Sequence, residues 1–238
     1  MATFSNQPSI VILTGAGISA ESGINTFRAA NGLWENHRVE DVATPEAFER
    51  NPDLVQRFYN ARRAPLTAKT VHPNPAHEAL ARLEREFRGS VLVITQNVDD
   101  LHERAGSRTL IHMHGELLKM RCQFTERVYP CSADIDTDAR CDCCGLTGAL
   151  RPHIVWFGEM PLQMDDIYSA LGQCNVFAAI GTSGHVYPAA GFVEHANRSG
   201  AASIEINLEP SLVSNQFDEQ LIGPASVVVP GWVDSLLM

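Results

Sequence analysis

Residues 10–23, Ile-Val-Ile-Leu-Thr-Gly-Ala-Gly-Ile-Ser-Ala-Glu-Ser-Gly, constrain the fold more than any other stretch. Ile10 to Leu13 are four consecutive apolar residues, three of them β-branched, and read as a strand buried on both faces. The chain then turns through Gly15-Ala16-Gly17 and resumes with residues able to open a helix. Gly15-x-Gly17-x-x-Ala20 fits the dinucleotide fingerprint. Its first glycine permits a tight turn, its second lets backbone approach a pyrophosphate, and its small third residue lets helix pack on strand. Amides at the helix start would then face phosphate. The usual dinucleotide fold next places an acidic residue about 20 positions on, at the end of a second strand. Here Gly23-Ile24-Asn25-Thr26-Phe27-Arg28 runs instead into loop-like Asn31-Gly32-Leu33-Trp34. Either the fingerprint is false or a non-standard loop covers the nucleotide.

The rest of the chain alternates helix and strand. Thr44 with Pro45 reads as an N-cap and first helical residue. Pro52 opens a helix that buries Leu54, Val55 and Phe58 and ends at Pro65. Ala76 to Phe87 is amphipathic through Leu80, Leu83 and Phe87, closed by Gly89. Buried strands are expected over 91–95, 109–113, 176–180 and 202–206, helices over 165–171 and 189–197, and an extended piece over 155–159. This alternation implies a parallel sheet with right-handed crossovers. Residues 119–150 hold too few apolar side chains to build a core.

With 238 residues, 45% of them hydrophobic, the chain is globular, and its net charge of −10 argues against phosphate-backbone binding as its main task. Residues 1–9 show no basic, apolar leader pattern, and no run approaches the roughly 20 apolar residues of a membrane span. The expectation is a cytoplasmic protein with no membrane or nucleic-acid partner. Five of its six cysteines fall between Cys122 and Cys144, which in a reducing compartment points to metal before disulfide.

Four expected strands end in polar or glycine-rich loops: Gly15-Ala16-Gly17, Gln96-Asn97-Val98-Asp99, Gly181-Thr182-Ser183 and Asn207-Leu208-Glu209. Ligands of open parallel sheets bind outside the carboxyl ends of the strands, so these loops should meet at one site. Together with Phe27-Arg28 and His112-Met113-His114-Gly115-Glu116, and in this order along nearly the whole chain, they resemble the sirtuin family, and within it the bacterial class III protein deacylases. The resemblance implies an enzyme that removes an acyl group from protein lysine and consumes NAD, giving free lysine, nicotinamide and an O-acyl-ADP-ribose. In that chemistry the acyl oxygen attacks the ribose C1′, and a base then activates a ribose hydroxyl.

Carried over residue by residue, His114 is the base, a role that suits a group titrating near neutrality. His112 is expected to be structural. The cofactor side comprises Gly15, Ala16, Gly17, Ser19, Ala20, Glu21, Phe27, Arg28 and Trp34 at the first loop, with Gln96, Asn97, Val98 and Asp99 around nicotinamide and its ribose. Gly181, Thr182 and Ser183 fall on phosphate, Asn207, Leu208 and Glu209 on the adenosine ribose, and Ala225 on the adenine edge. Val155, Phe157, Gly158 and Glu159 resemble the segment that pairs with substrate backbone. Tyr59 and Arg62, three apart on one helix face, match the pair that marks class III. A phenol and a guanidinium can hold a carboxylate at the far end of an acyl chain, which implies succinyl-, malonyl- or glutaryl-lysine beside acetyl-lysine. Arg63 is expected to point elsewhere, into solvent.

The cysteines occupy the place of the family's structural zinc module. Cys141-x-x-Cys144 supplies one knuckle; the second is incomplete, because Thr125 stands where a partner of Cys122 is expected. The expected zinc ligands are Cys122, Cys141, Cys144 and Cys131, with Cys143 able to stand in for Cys144 and a metal-poor site as the alternative. Cys174 reads as an ordinary buried thiol.

The expected architecture is α/β: a large Rossmann-like parallel sheet over about 1–30, 75–116 and 151–238, and a small helical and zinc-binding part over about 31–74 and 117–150. NAD and an acyl-lysine protein or peptide meet between them. The competing functions are protein ADP-ribosyl transfer from the same NAD site and a non-catalytic NAD-binding sensor.

Overall fold

Strand β1 (Ser9–Thr14) anchors the architecture: it pairs in parallel with β4 (Ser90–Thr95) on one side and β9 (Val176–Ile180) on the other. A computed structural model describes residues 7–25, 33–34 and 37–238. Phe27 and Arg28 lie outside the described residues, as does the side chain of Trp34. In chain order β1 is followed by α1 (Ala16–Ala20), β2 (Leu33–Trp34), β3 (His37–Arg38), α2 (Val39–Val42), α3 (Pro45–Arg50), α4 (Pro52–Thr67) and α5 (Pro75–Glu86). After β4 come α6 (Leu101–Ala105), β5 (Leu110–His112), β6 (Gly115–Cys122), β7 (Val128–Pro130), β8 (Leu150–Ile154) and α7 (Met164–Leu171). After β9 come α8 (Phe192–Arg198), β10 (Ala202–Asn207), β11 (Glu219–Ile222) and α9 (Ala225–Leu237).

The parallel sheet runs β11-β10-β9-β1-β4-β5. Counting only its own strands, that is the order 3-2-1-4-5-6 of a doubly wound dinucleotide fold, read from the other edge. Register brings Thr14 level with Thr95 and Ile180, and Ile180 level with Ile206. The loops after β1, β4, β9 and β10 therefore leave the sheet at one edge.

Alternation along β1 splits the core in two. Ile10 and Ile12 face α5 and α9 and pack with Leu80, Leu83, Val229 and Trp232. Val11 and Leu13 face α7 and α8 and pack with Ile167, Phe177 and Phe192. A third cluster joins α2, α3 and α4 to Leu117, Ile154 and Trp156. Residues 115–154 form a separate antiparallel sheet, β7-β6-β8, which the sequence reading does not anticipate. Nor does it anticipate α6, β11 or α9. Contrary to the expectation for 119–150, a small core forms there, from Cys122, Cys131, Ile135, Cys141, Ala149 and Leu150.

Local expectations fail at three places for physical reasons. Pro65 lies inside α4, not at its end: the Ala68 N–H reaches Ala64 O at 2.9 Å and Thr70 N–H reaches Pro65 O at 3.1 Å. A proline removes only its own donor and crowds one carbonyl behind it, so a final turn still closes. Gly89 does not cap α5, which ends in extended backbone at Phe87; a Cβ at Gly89 would sit 2.0 Å from Pro8 O, so the glycine admits a crossing chain. Residues 155–159 are a turn; the extended strand precedes them, as β8.

Candidate active site

The glycines of the first loop serve a close approach of two loops. Gly15 N–H donates to Ile180 O at 3.0 Å and Gly17 N–H to Gly181 O at 2.9 Å. A Cβ would fall 2.7 Å from Gly181 O at Gly15 and 2.6 Å from Gly181 Cα at Gly17. Gly181 itself needs a φ of 65°, which favours glycine. What crowds these glycines is protein backbone, where the fingerprint reading places a pyrophosphate, and both amides are committed to the neighbouring loop.

The loop after β4 is knitted to α1 by side chains. Asn97 Nδ2 donates to Gly15 O and to Ser19 Oγ, both at 3.1 Å. Ser19 Oγ donates to Asp99 Oδ2 at 3.1 Å, and Asp99 Oδ1 accepts the Leu101 N–H at 3.1 Å. Burial pushes the Asp99 carboxyl up to about 6, against the pull of those two donors. Beneath it, Thr14 Oγ1 bonds Thr95 Oγ1 at 2.9 Å and His102 Nε2 at 3.0 Å, and His77 Nε2 lies 3.4 Å from Ser19 Oγ. Burial holds His77 down at about 4 and lowers His102 as well, so both imidazoles are neutral. Val98 is half-buried and packs against the third cluster.

His114 follows the third strand and reaches back to this loop. Its Nδ1 lies 3.1 Å from Gln96 O. A carbonyl only accepts, so Nδ1 carries the proton and Nε2 presents a lone pair. Burial lowers the His114 pKa, with the Gln96 carbonyl opposing, so the ring is a neutral base at pH 7. His112 has both ring nitrogens engaged away from this site: its Nε2 meets Glu103 Oε1 at 2.7 Å and its Nδ1 lies 3.4 Å from Asn97 O.

Gln96, Thr182 and Ser183 line one cavity with Leu13. Asn207 Nδ2 bridges from β10 to Thr182 O at 2.6 Å and to Glu205 Oε1 at 3.1 Å. Leu208 and Glu209 are exposed beyond it, and Ala225 is buried at the start of α9. Glu21 turns to that same helix: its carboxylate accepts the Ser226 N–H at 3.0 Å and the Ser226 hydroxyl. Ala16 and Ala20 lie on α1, Ala20 exposed.

On the other side, Val155 N–H donates to His114 O at 2.9 Å and Phe157 N–H to Ala43 O at 3.0 Å, which joins the 155–159 turn to both the base and the helical segment. Phe157 is 47% exposed, and Gly158 takes a φ of 92° with open space around its Cβ position. Glu159, assigned to the substrate segment, spends its carboxylate on protein partners. Its carboxylate receives Arg151 at 2.7 and 2.9 Å, Arg121 at 2.9 Å and the Trp156 N–H at 2.8 Å, so it clamps the turn. Those cations hold its pKa below the usual carboxylate range against its burial.

Tyr59 is fully buried, and its hydroxyl accepts the Trp156 indole N–H at 3.0 Å. Burial raises its pKa, so the phenol stays neutral. The half-buried Arg62 guanidinium lies 3.5 Å over the Phe58 ring. Arg63, expected in solvent, is 1% exposed. It donates to Leu117 O at 2.7 Å, Asn60 Oδ1 at 2.6 Å and Ala133 O at 3.3 Å, which ties α4 to the antiparallel sheet and its long loop. Helix geometry puts Arg63 on a different face from Arg62, as expected, but packing covers that face.

The thiols of Cys122, Cys141, Cys143 and Cys144 lie within 4.8 Å of one another. All six cysteines are free. Tetrahedral zinc at about 2.3 Å from each sulfur sets sulfurs about 3.8 Å apart; the Cys122–Cys144 separation is 3.7 Å and the Cys141–Cys143 separation 3.3 Å. The donor set fits a closed structural zinc site. Cys131 is not part of it: its Sγ turns to Ala133 O at 3.3 Å. Cys143 completes the set beside Cys144, a possibility that two-residue knuckle spacing underweights.

Comparison with known proteins follows the same lines. A family model described as the Sir2 family matches residues 15–188. An "NAD-dependent protein deacylase" of Salmonella typhimurium is 60% identical over 231 residues, covering 97% of this chain and 85% of the relative. A solved Sir2 homologue–NAD complex superposes with a TM-score of 0.87 at 40% identity, covering 97% of this chain and 90% of the other. The structure of Sir2Af2 bound to a myristoylated histone peptide superposes with a TM-score of 0.72 at 33% identity, over 97% and 92% of the two chains.

Proposed function

The chain belongs to the Sir2 family, and from that premise we propose that it is an NAD-dependent protein-lysine deacylase acting on acetyl- and on carboxylate-ended acyl-lysines in proteins or peptides. NAD, when bound, supplies an electrophilic ribose carbon and nicotinamide as leaving group. One observation carries the reading: His114 is held by Gln96 O as the tautomer whose free nitrogen is Nε2, and it is neutral at physiological pH. Such a nitrogen can take a proton from a ribose hydroxyl, the step that a deacylase needs and that an NAD sensor does not.

The remaining residues position and exclude. Asn97 and Asp99, locked to Ser19, present the β4 loop to the nicotinamide end as a rigid ledge. Thr182, Ser183 and Asn207 line the continuation of the same edge, where phosphates and the adenosine ribose are assigned. Cys122, Cys141, Cys143 and Cys144 would hold zinc as a clasp with no open coordination position, so the metal takes no part in the chemistry. Tyr59 and Arg62 would read the distal carboxylate. Their support is proximity: the Arg62 charge acts on the buried Tyr59 phenol. We also assign residues 31–74 and 117–150 to a small part that closes over the sheet edge. Among the described residues no helix is long and apolar enough to cross a membrane.

The test is mass spectrometry of acetyl- and succinyl-lysine peptides with and without NAD. Acyl loss that requires NAD is expected on both. His114→Ala should lower it by about 10²–10⁴-fold while NAD binding by calorimetry persists; unchanged turnover would refute the assignment. Tyr59→Phe with Arg62→Met should slow desuccinylation about 10–100-fold more than deacetylation, the worth of one charge-assisted hydrogen bond. Equal losses on the two peptides would remove the carboxylate pocket from the proposal.

A further inference from the structure

Glu103, His112 and Glu116 come from α6, β5 and β6, and each offers one ligand atom, all within 4.8 Å of one another. The chemistry above uses none of them. His112 faces the Asn97 carbonyl oxygen with Nδ1 and Glu103 Oε1 with Nε2, at 3.4 and 2.7 Å. Metal-binding histidines have this arrangement: one ring N–H goes to a backbone carbonyl, which fixes the tautomer and turns the other nitrogen to the ion. A cation already sits on the cluster, since Lys119 Nζ lies 2.5 Å from Glu116 Oε1.

A further imidazole, outside that 4.8 Å group, stands across the strand. His153 on β8 is the register partner of Glu116 on β6, so the two side chains share one face of the antiparallel sheet. Its Nδ1 is buried with no hydrogen-bond partner among the described residues. All four residues border one cavity of about 600 Å³, with room for an ion and its waters. Two imidazoles with two carboxylates suit zinc, cobalt or manganese, and disfavour calcium and magnesium, which prefer all-oxygen shells. The net charge of −10 draws cations to the surface.

We propose that Glu103, His112, Glu116 and His153 form a second divalent-metal site, separate from the cysteine cluster and joined to the Asn97 loop through His112. The ion replaces the Lys119 ammonium on Glu116 and takes the place of the proton between His112 Nε2 and Glu103, which leaves to solvent, while His112 Nδ1–H keeps its carbonyl.

Cobalt(II) titration of the zinc-replete protein, followed by absorption and equilibrium dialysis, tests this. One further equivalent should bind, with weak visible bands and no thiolate charge-transfer absorption. Glu103→Gln with Glu116→Gln should weaken it by roughly 100-fold or more, and His153→Gln by about tenfold. Lys119→Met, which removes the competing ammonium, should tighten it. The proposal fails if neither the wild type nor Lys119→Met takes up a further equivalent. It also fails if that equivalent brings thiolate absorption, or if it survives in a natively folded double carboxamide variant. Should the double variant not fold, His153→Gln and Lys119→Met decide between them.

Discussion

The parallel and antiparallel sheets of this protein are held together by unequal means. The parallel sheet buries two apolar layers, one under α5 and α9 and one under α7 and α8. The antiparallel sheet lends Leu117 and Ile154 to the cluster under α2, α3 and α4 at one end, while its cysteine end has a core of six buried residues, three of them cysteines. Burial at about 25 cal/mol per Å² stabilises the first without help, whereas the cysteine end of the second has little apolar area to draw on. Its thiols occupy the place where side-chain volume would otherwise stand. A chain can thus rely on the hydrophobic effect in one part and offer a thiol set suited to a metal in another, with the buried Arg63 guanidinium tying helix α4 to that second part.

Four experiments would break or sharpen that contrast. The largest effect is expected from metal removal: structural zinc contributes on the order of 10 kcal/mol, so chelation or Cys141→Ser should unfold 115–154. Hydrogen exchange should then show fast amides in β6 and β8 while β1 stays protected; loss of protection in both would mean one cooperative unit. Cys131→Ser should leave zinc content unchanged, since that thiol faces Ala133 O. Next is Leu80→Ala, fully buried under the parallel sheet, which should cost about 4 kcal/mol in urea unfolding and leave zinc bound.

Arg63→Met comes third. It strands the carbonyls of Leu117 and Ala133 and should cost about 3 kcal/mol, with a lowered cooperativity of unfolding as α4 uncouples from the antiparallel sheet. The smallest effect is the net response to pH. His77, neutral and held at about 4, binds its proton only when unfolded between there and 6.5, so it lends stability above pH 6.5 that is lost as pH falls, up to about 3 kcal/mol. His102 acts in the same direction. Asp99, raised to about 6, binds its proton in the folded state first, so its contribution falls as pH rises from about 4 to 6 and offsets theirs. Asp99→Asn should therefore steepen the loss of stability on acidification, measured by urea midpoints from pH 7 to 4; a flatter profile would contradict the assignment.

Much of the parallel sheet was legible in the chain because its strands are short apolar runs and its helices are amphipathic, both properties of neighbours in sequence. The edge strand β11, 4 residues with no fully buried side chain, carries no such signal. Helix α9 hides behind Pro230, and β6 behind a mixture of charged and apolar residues that is half-buried on both faces.

The sequence by itself determined five strands of the parallel sheet and the main helices between them, the polar loops at the strand ends and the motif set that marks the family, because each is written in adjacent residues. Only the tertiary structure decided that Cys143 and not Cys131 joins the thiol cluster, that Arg63 is buried, that Glu159 clamps a turn, and that Gly15 and Gly17 make room for Gly181. The reason is that burial and partnership depend on what arrives from elsewhere in the chain. Local spacing fixes the face a side chain points from; only packing fixes what it meets there.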